Sequence, residues 1–121
     1  MTKRRLSRIR QRVRELQGRR GTLETKAMAR YPMVSASLIE RRFHHNGPIC
    51  YYLSIPTPQN SWHRYVRKDE VDYYRRRSSA WREFITCMAE WVRVNRRIER
   101  LLRQLGKGRC EKLEIRRKER D

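Results

Sequence analysis

The sequence predicts an α+β fold, mainly α, with an N-terminal basic helix, a small central β-hairpin or three-stranded sheet, and a long C-terminal helix pairing with the first. Three observations carry this reading. Leu6, Ile9, Val13 and Leu16 recur at steps of three, four and three, the spacing of one helix face. Two β-branched and aromatic runs, Ile49–Ile55 and Trp62–Val66, flank the breaker cluster Pro56-Thr57-Pro58-Gln59-Asn60, which is a hairpin signal. No Gly or Pro interrupts the chain from Asp69 to Leu105, roughly 55 Å of helix at 1.5 Å per residue.

The first helix covers about residues 3–17, and Gly18 and Gly21 around Arg19-Arg20 are expected to end it. Outside its apolar stripe Arg4, Arg5, Arg8, Arg10, Arg12 and Arg14 dominate, and Glu15 is the one acid. So short a helix is marginal alone in water, and must pack on something or fold onto a ligand. Residues 22–31 carry a weak helical pattern that Pro32 terminates. Met33–Phe43 reads as a short strand or extended arm, with Val34–Leu38 the candidate third strand, since a lone hairpin is only marginally stable. In the long helix, Tyr74, Trp81, Phe84, Met88, Trp91, Ile98, Leu102 and Leu105 fit a seam with Arg77 and Asn95 as polar members, and Ile85 and Val92 widen it. The organisation expected is therefore residues 1–21 as basic helix, 22–67 as linker and hairpin module, 68–106 as long helix and 107–121 as basic tail.

Charge points to partners. The 121 residues hold 32 Lys+Arg against 13 Asp+Glu, a net +19. Only 37% are apolar, below the roughly 45–50% of ordinary soluble domains, so the core is thin and a compact enzyme with a deep, water-excluding pocket is disfavoured. Like charges repel across a compact state, and a polyphosphate relieves this while releasing condensed counterions. Of the basic residues 26 are arginine, whose planar fork grips phosphate bidentately and stacks on bases. Nucleic acid, DNA or RNA, is thus the expected partner.

The expected phosphate contacts are Arg4, Arg5, Arg8 and Arg12 on the first helix and Arg75, Arg76 and Arg77 on the second. Arg41, Arg42, Arg64, Arg67 and Lys68 surround the hairpin. Tyr51, Trp62 and Tyr65 are the candidates for base stacking. Strand residues alternate between faces, so Tyr51 and Tyr52 cannot both be core.

Other chemistries find little support. His44, His45, Cys50 and His63 lack the ligand rhythm of structural zinc. Asp69, Glu70 and Asp72 fit a helix N-terminus better than a metal-binding carboxylate set. Gly106-Lys107-Gly108 lacks the spacing of a phosphate loop. No catalytic residue, metal or cofactor is expected. Cys50, Cys87 and Cys110 are far apart and odd in number, unlike a disulfide framework. With no long apolar run and no apolar segment after the basic start, the expected location is cytoplasmic, associated with nucleoid or ribonucleoprotein.

The middle of the chain resembles an uncharacterised family of small basic prokaryotic proteins. The likeness rests on Met33-Val34-Ser35-Ala36-Ser37-Leu38, Asn46-Gly47-Pro48, Tyr51-Tyr52-Leu53-Ser54, Tyr65-Val66 and the long helix that follows. It covers about residues 33–105. Ala36 stands where that family has Gly, and Phe43 passes directly to His44-His45-Asn46-Gly47-Pro48 where it has a cysteine cluster, so no metal site carries over. The resemblance implies a hairpin-then-helix layout and a small nucleic-acid-associated protein of mobile-element or phage context.

The function expected is a non-enzymatic nucleic-acid-binding accessory protein. The alternatives are a structural RNA-binding subunit of a larger ribonucleoprotein, or a helical adaptor or inhibitor of an acidic protein. A second copy of the chain is a further candidate partner for unsatisfied seam positions.

Overall fold

The structure is a computed structural model that describes residues 1–113. The expected tail lies in part, at residues 114–121, outside the described residues. The order is helix α1 (Lys3–Ala27), strands β1 (Ser37–Arg41), β2 (Cys50–Pro56) and β3 (Ser61–Val66), a 3-10 turn at Lys68–Glu70, and helix α2 (Val71–Arg109). The α+β, mainly α class is the one expected, and the helices pair.

The chain forms two compact units, one of Met1–Thr22 with the chain from Trp91 onward, the other of Leu23–Glu90. The first is a helical hairpin. Ile9, Val13 and Leu16 of α1 and Val94 and Ile98 of α2 are its buried residues. Its helices run antiparallel. A Cβ placed on Gly108 would meet Met1 and Leu6 at one end, and Arg20 Nη1 donates to Asn95 Oδ1 at 3.2 Å at the other.

Two expectations about the helices are corrected. Gly18 and Gly21 do not end α1, which continues to Ala27. Neither glycine has a positive φ, so neither forms the left-handed cap that stops a helix. The apolar stripe recurs past them at Leu23, and burial there outweighs the roughly 1 kcal/mol that each helical glycine costs. In α2 the seam is also displaced. Cys87, Val94 and Ile98 are buried, whereas Leu102 is 46% exposed and Ile85 47%. With half-buried Phe84, Trp91, Leu101 and Leu105 they form an unbroken alternation of three and four, the packing period of paired helices. That period continues through Gly106, and α2 ends at Arg109.

The second unit is a three-stranded antiparallel sheet in the order β1-β2-β3, with the start of α2 on one face. Its third strand begins at Ser37 rather than at Val34; Val34 and Ala36 form the lead-in. Leu38 pairs with Leu53, and Leu53 in turn with Arg64. Ala36, Leu53, Val66 and Val71 form the buried cluster, joined by Val34, Leu38, Tyr51, Ile55 and Tyr74. Two bonds tie the lead-in to α2, Val34 N to the Arg77 carbonyl at 3.1 Å and Ser78 Oγ to the Ala36 carbonyl at 2.6 Å. The β2–β3 turn closes on itself, with Thr57 N donating to the Asn60 carbonyl at 2.8 Å and Ser61 N to Asn60 Oδ1 at 2.9 Å. Among the described residues no helix is long and apolar enough to cross a membrane.

Candidate nucleic-acid interface

Charge is divided unevenly. Within the described part of the helical hairpin, residues 1–22 and 91–113, 17 basic residues face 3 acidic ones. On α2, Arg93, Arg96, Arg100, Arg103 and Lys107 follow one another at steps of three and four and are all exposed. At 100° per residue this stripe occupies an arc of about 80°, turned away from the buried seam, and runs about 21 Å along the axis. Glu99 interrupts it, accepting from Arg103 at 2.8 Å. Arg4, Arg5, Arg8 and Arg12 also share one arc of about 100° on α1, where Arg12 holds Glu15 at 2.9 Å. The sequence reading found the α1 set and missed the α2 stripe. Its signal was the same three-four recurrence, offset by two positions from Trp91, Val94 and Ile98.

Arg75, Arg76 and Arg77 do not form one grip. Consecutive helical residues diverge by about 100°, and these three lie in the other compact unit from Arg4–Arg12. Arg75 lies 3.6 Å from the Asp72 carboxylate and over the Tyr51 ring, 5.8 Å from its centroid. Arg77 folds back on Tyr73, its guanidinium 3.5 Å from the ring centroid, and donates to the Tyr73 carbonyl. Arg76 is exposed.

The sheet has one covered face and one open face. Cross-strand register assigns Leu38, Glu40, Tyr51, Leu53, Ile55, Trp62, Arg64 and Val66 to the covered side. Ile39, Arg41, Cys50, Tyr52, Ser54, His63 and Tyr65 occupy the other. Tyr51, expected to be available for stacking, is instead packed against the core cluster. It shares its face with Leu53 and Ile55, two and four residues on, and burying those brings Tyr51 with them. Tyr52 is the member of the pair on the open face. Trp62 lies by register on the covered side, yet near the hairpin tip it is 62% exposed. Arg64 is on the same side and exposed; Arg67 and Lys68 in the link to α2 and Arg42 after β1 are exposed as well, outside the paired strands.

On the open face Tyr52 is central. The Tyr65 ring meets it edge-on at 5.7 Å, Phe43 does so at 6.5 Å, and the Arg41 guanidinium sits 5.5 Å from its centroid. Phe43 carries no signal in the sequence reading; alternation there frees one of Tyr51 and Tyr52, and the structure makes it Tyr52 rather than the expected Tyr51. Among the described residues no three His, Cys, Asp or Glu side chains gather as a metal site. No protein family, curated protein or solved structure matches the chain.

Proposed function

We propose that this protein is a non-enzymatic nucleic-acid-binding accessory protein whose helical hairpin grips phosphate backbones. The observation that carries the reading is the ratio of 17 basic to 3 acidic residues in the described hairpin, together with the exposed α2 stripe. Four arginines and Lys107 spaced along about 21 Å of one helix face reach successive phosphates, and each contact releases counterions. Such contacts hold the backbone without reading bases. A mobile-element or phage context, implied by the resemblance of residues 33–105, belongs to the same proposal.

The test is affinity against salt for DNA and RNA oligonucleotides. A grip of about six to ten phosphates gives a steep negative slope of log affinity on log salt. A slope near zero for both polymers overturns the proposal.

One observation favours a second reading. Val92 at 37% and Leu102 at 46% exposure leave apolar surface on the helical unit, which suits a ribonucleoprotein subunit that docks on protein while its arginines neutralise RNA. Such a subunit gains helicity and thermal stability only with its protein partner, whereas the accessory protein gains them with nucleic acid alone.

A further inference from the structure

The open face of the sheet differs in kind from the arginine stripes. It holds large rings in the open. Phe43 is 62% and Tyr65 59% exposed, whereas among the described residues the largest fully buried side chains are only Leu53 and Val66. Clustered rings left in water around a cation mark a surface that binds something.

Charge limits the occupant. The strand residues assigned to this face include Arg41 and His63 and no carboxylate; the sheet's one acid, Glu40, is on the other side. Arg42 follows β1 and Arg67 follows β3, both exposed. A cationic rim around exposed rings complements a ligand that is anionic and presents flat π-faces. A single-stranded nucleic acid has both properties. A duplex presents its phosphates but keeps its base faces stacked inside, so it meets only the rim.

We propose that the open face, with Phe43, Tyr52 and Tyr65 as rings and Arg41 beside them, is a stacking platform for unpaired bases and gives the protein a preference for single-stranded over duplex nucleic acid. This rests on the nucleic-acid reading for the polymer and adds which form of it is selected. Tyr52 braces the cluster through its two edge-on contacts, and Phe43 and Tyr65 carry the accessible ring surface. Base–ring stacking tolerates any sequence, because every base has a π-face.

The experiment compares binding of an oligothymidylate of about 15 nucleotides with binding of a duplex of the same length. The proteins are the full chain and its Phe43→Leu/Tyr65→Leu variant, with melting curves confirming the fold of each. The expected result is an affinity loss of about tenfold or more for the single strand, unchanged duplex affinity, and partial recovery in the Phe43→Leu/Tyr65→Phe variant. Equal loss for both polymers, or none for either, overturns the platform. If the variant does not fold, photo-crosslinking of an iodouracil-containing single strand to the unaltered protein decides. Crosslinks at Phe43, Tyr52 or Tyr65 support the platform, and crosslinks confined to the helical hairpin overturn it. An unaltered protein that binds neither polymer in dilute salt overturns the phosphate grip as well. Steep salt dependence on both polymers with the variant indistinguishable removes the platform alone.

Discussion

Arg20 and Asn95 meet across the helical hairpin at 3.2 Å, 75 positions apart in sequence. Arg20 occupies a seam position of α1, four residues after Leu16 and three before Leu23, and Asn95 directly follows buried Val94. A polar contact inside an apolar seam contributes less to stability than a good apolar one. It penalises every register that would leave it unmade. This is a way for two arginine-covered helices with few core residues to settle on one alignment.

Replacing Asn95 by Ala removes that acceptor from a charged donor, a loss of about 1.5–3 kcal/mol read as a lower urea midpoint. The double replacement Arg20→Leu/Asn95→Leu restores stability or exceeds it. Its expected signature is broadened NMR resonances or mixed oligomers, as sliding registers become accessible. A double variant that stays sharp and monomeric removes the register role.

The two candidate seams of α2 are separable by mutation. Val94 is 9% and Leu102 46% exposed. Val94→Ala therefore leaves a void and costs on the order of 1–3 kcal/mol, whereas Leu102→Ala stays within about 1 kcal/mol of the parent. Denaturant midpoints with an unchanged m-value check both.

That pair also shows what was legible. The α1 stripe was readable from Leu6 to Leu16 because almost every other position there is charged or polar. In α2, Ile85, Met88, Val92 and Leu102 supply a second apolar set beside the buried one, and periodicity alone does not choose between two overlapping stripes. The antiparallel partner chooses, through contacts that join residues such as Leu23 and Cys87, whose thiol lies 3.3 Å from the Leu23 carbonyl. The hairpin was readable from Pro56–Asn60 and its flanking strands. Alternation required one of Tyr51 and Tyr52 to leave the core. Leu53 and Ile55, sharing the face of Tyr51, already indicated that Tyr52 was the one.

Gly18 and Gly21 were misleading as helix ends, and this has a measurable consequence. A Cβ at either position meets nothing within 4 Å, and both lie inside a continuous helix. Gly18→Ala and Gly21→Ala are each expected to stabilise the protein by about 1 kcal/mol, raising the melting temperature. Gly108→Ala behaves differently, because its Cβ would sit 2.7 Å from Met1 Sδ and 3.0 Å from Leu6 Cδ2. Displacement of those side chains offsets the helical gain, so its net effect is smaller than at Gly18.

Ser78 is the one buried polar residue of the described core, and its hydroxyl donates to the Ala36 carbonyl across 42 positions of sequence. Ser78→Ala leaves that carbonyl without the bond at a buried position, at about 1–3 kcal/mol. Hydrogen exchange localises the effect, with amides of β1 and its lead-in losing protection before those of the helical hairpin. Uniform loss across both units would mean that this bond does not fasten the strand locally.

Arg96, Arg100 and Arg103 stand on the exposed face of α2, and the Arg103–Glu99 pair among them is a surface pair of little stability value. Changing all three to Gln therefore leaves the melting temperature within a few degrees of the parent while deleting three charges from the proposed grip. If each holds one phosphate, the slope of log affinity on log salt becomes shallower by about 2.7 on duplex DNA, and by somewhat less on single strands. The weakening falls evenly on all base sequences, because these side chains meet backbone and not base edges. The same substitution at Arg75, Arg76 and Arg77 changes the slope less, since Arg75 and Arg77 are already engaged with Asp72 and Tyr73. Equal slope changes from the two sets would show that net charge alone drives binding and that the α2 stripe has no special place in it.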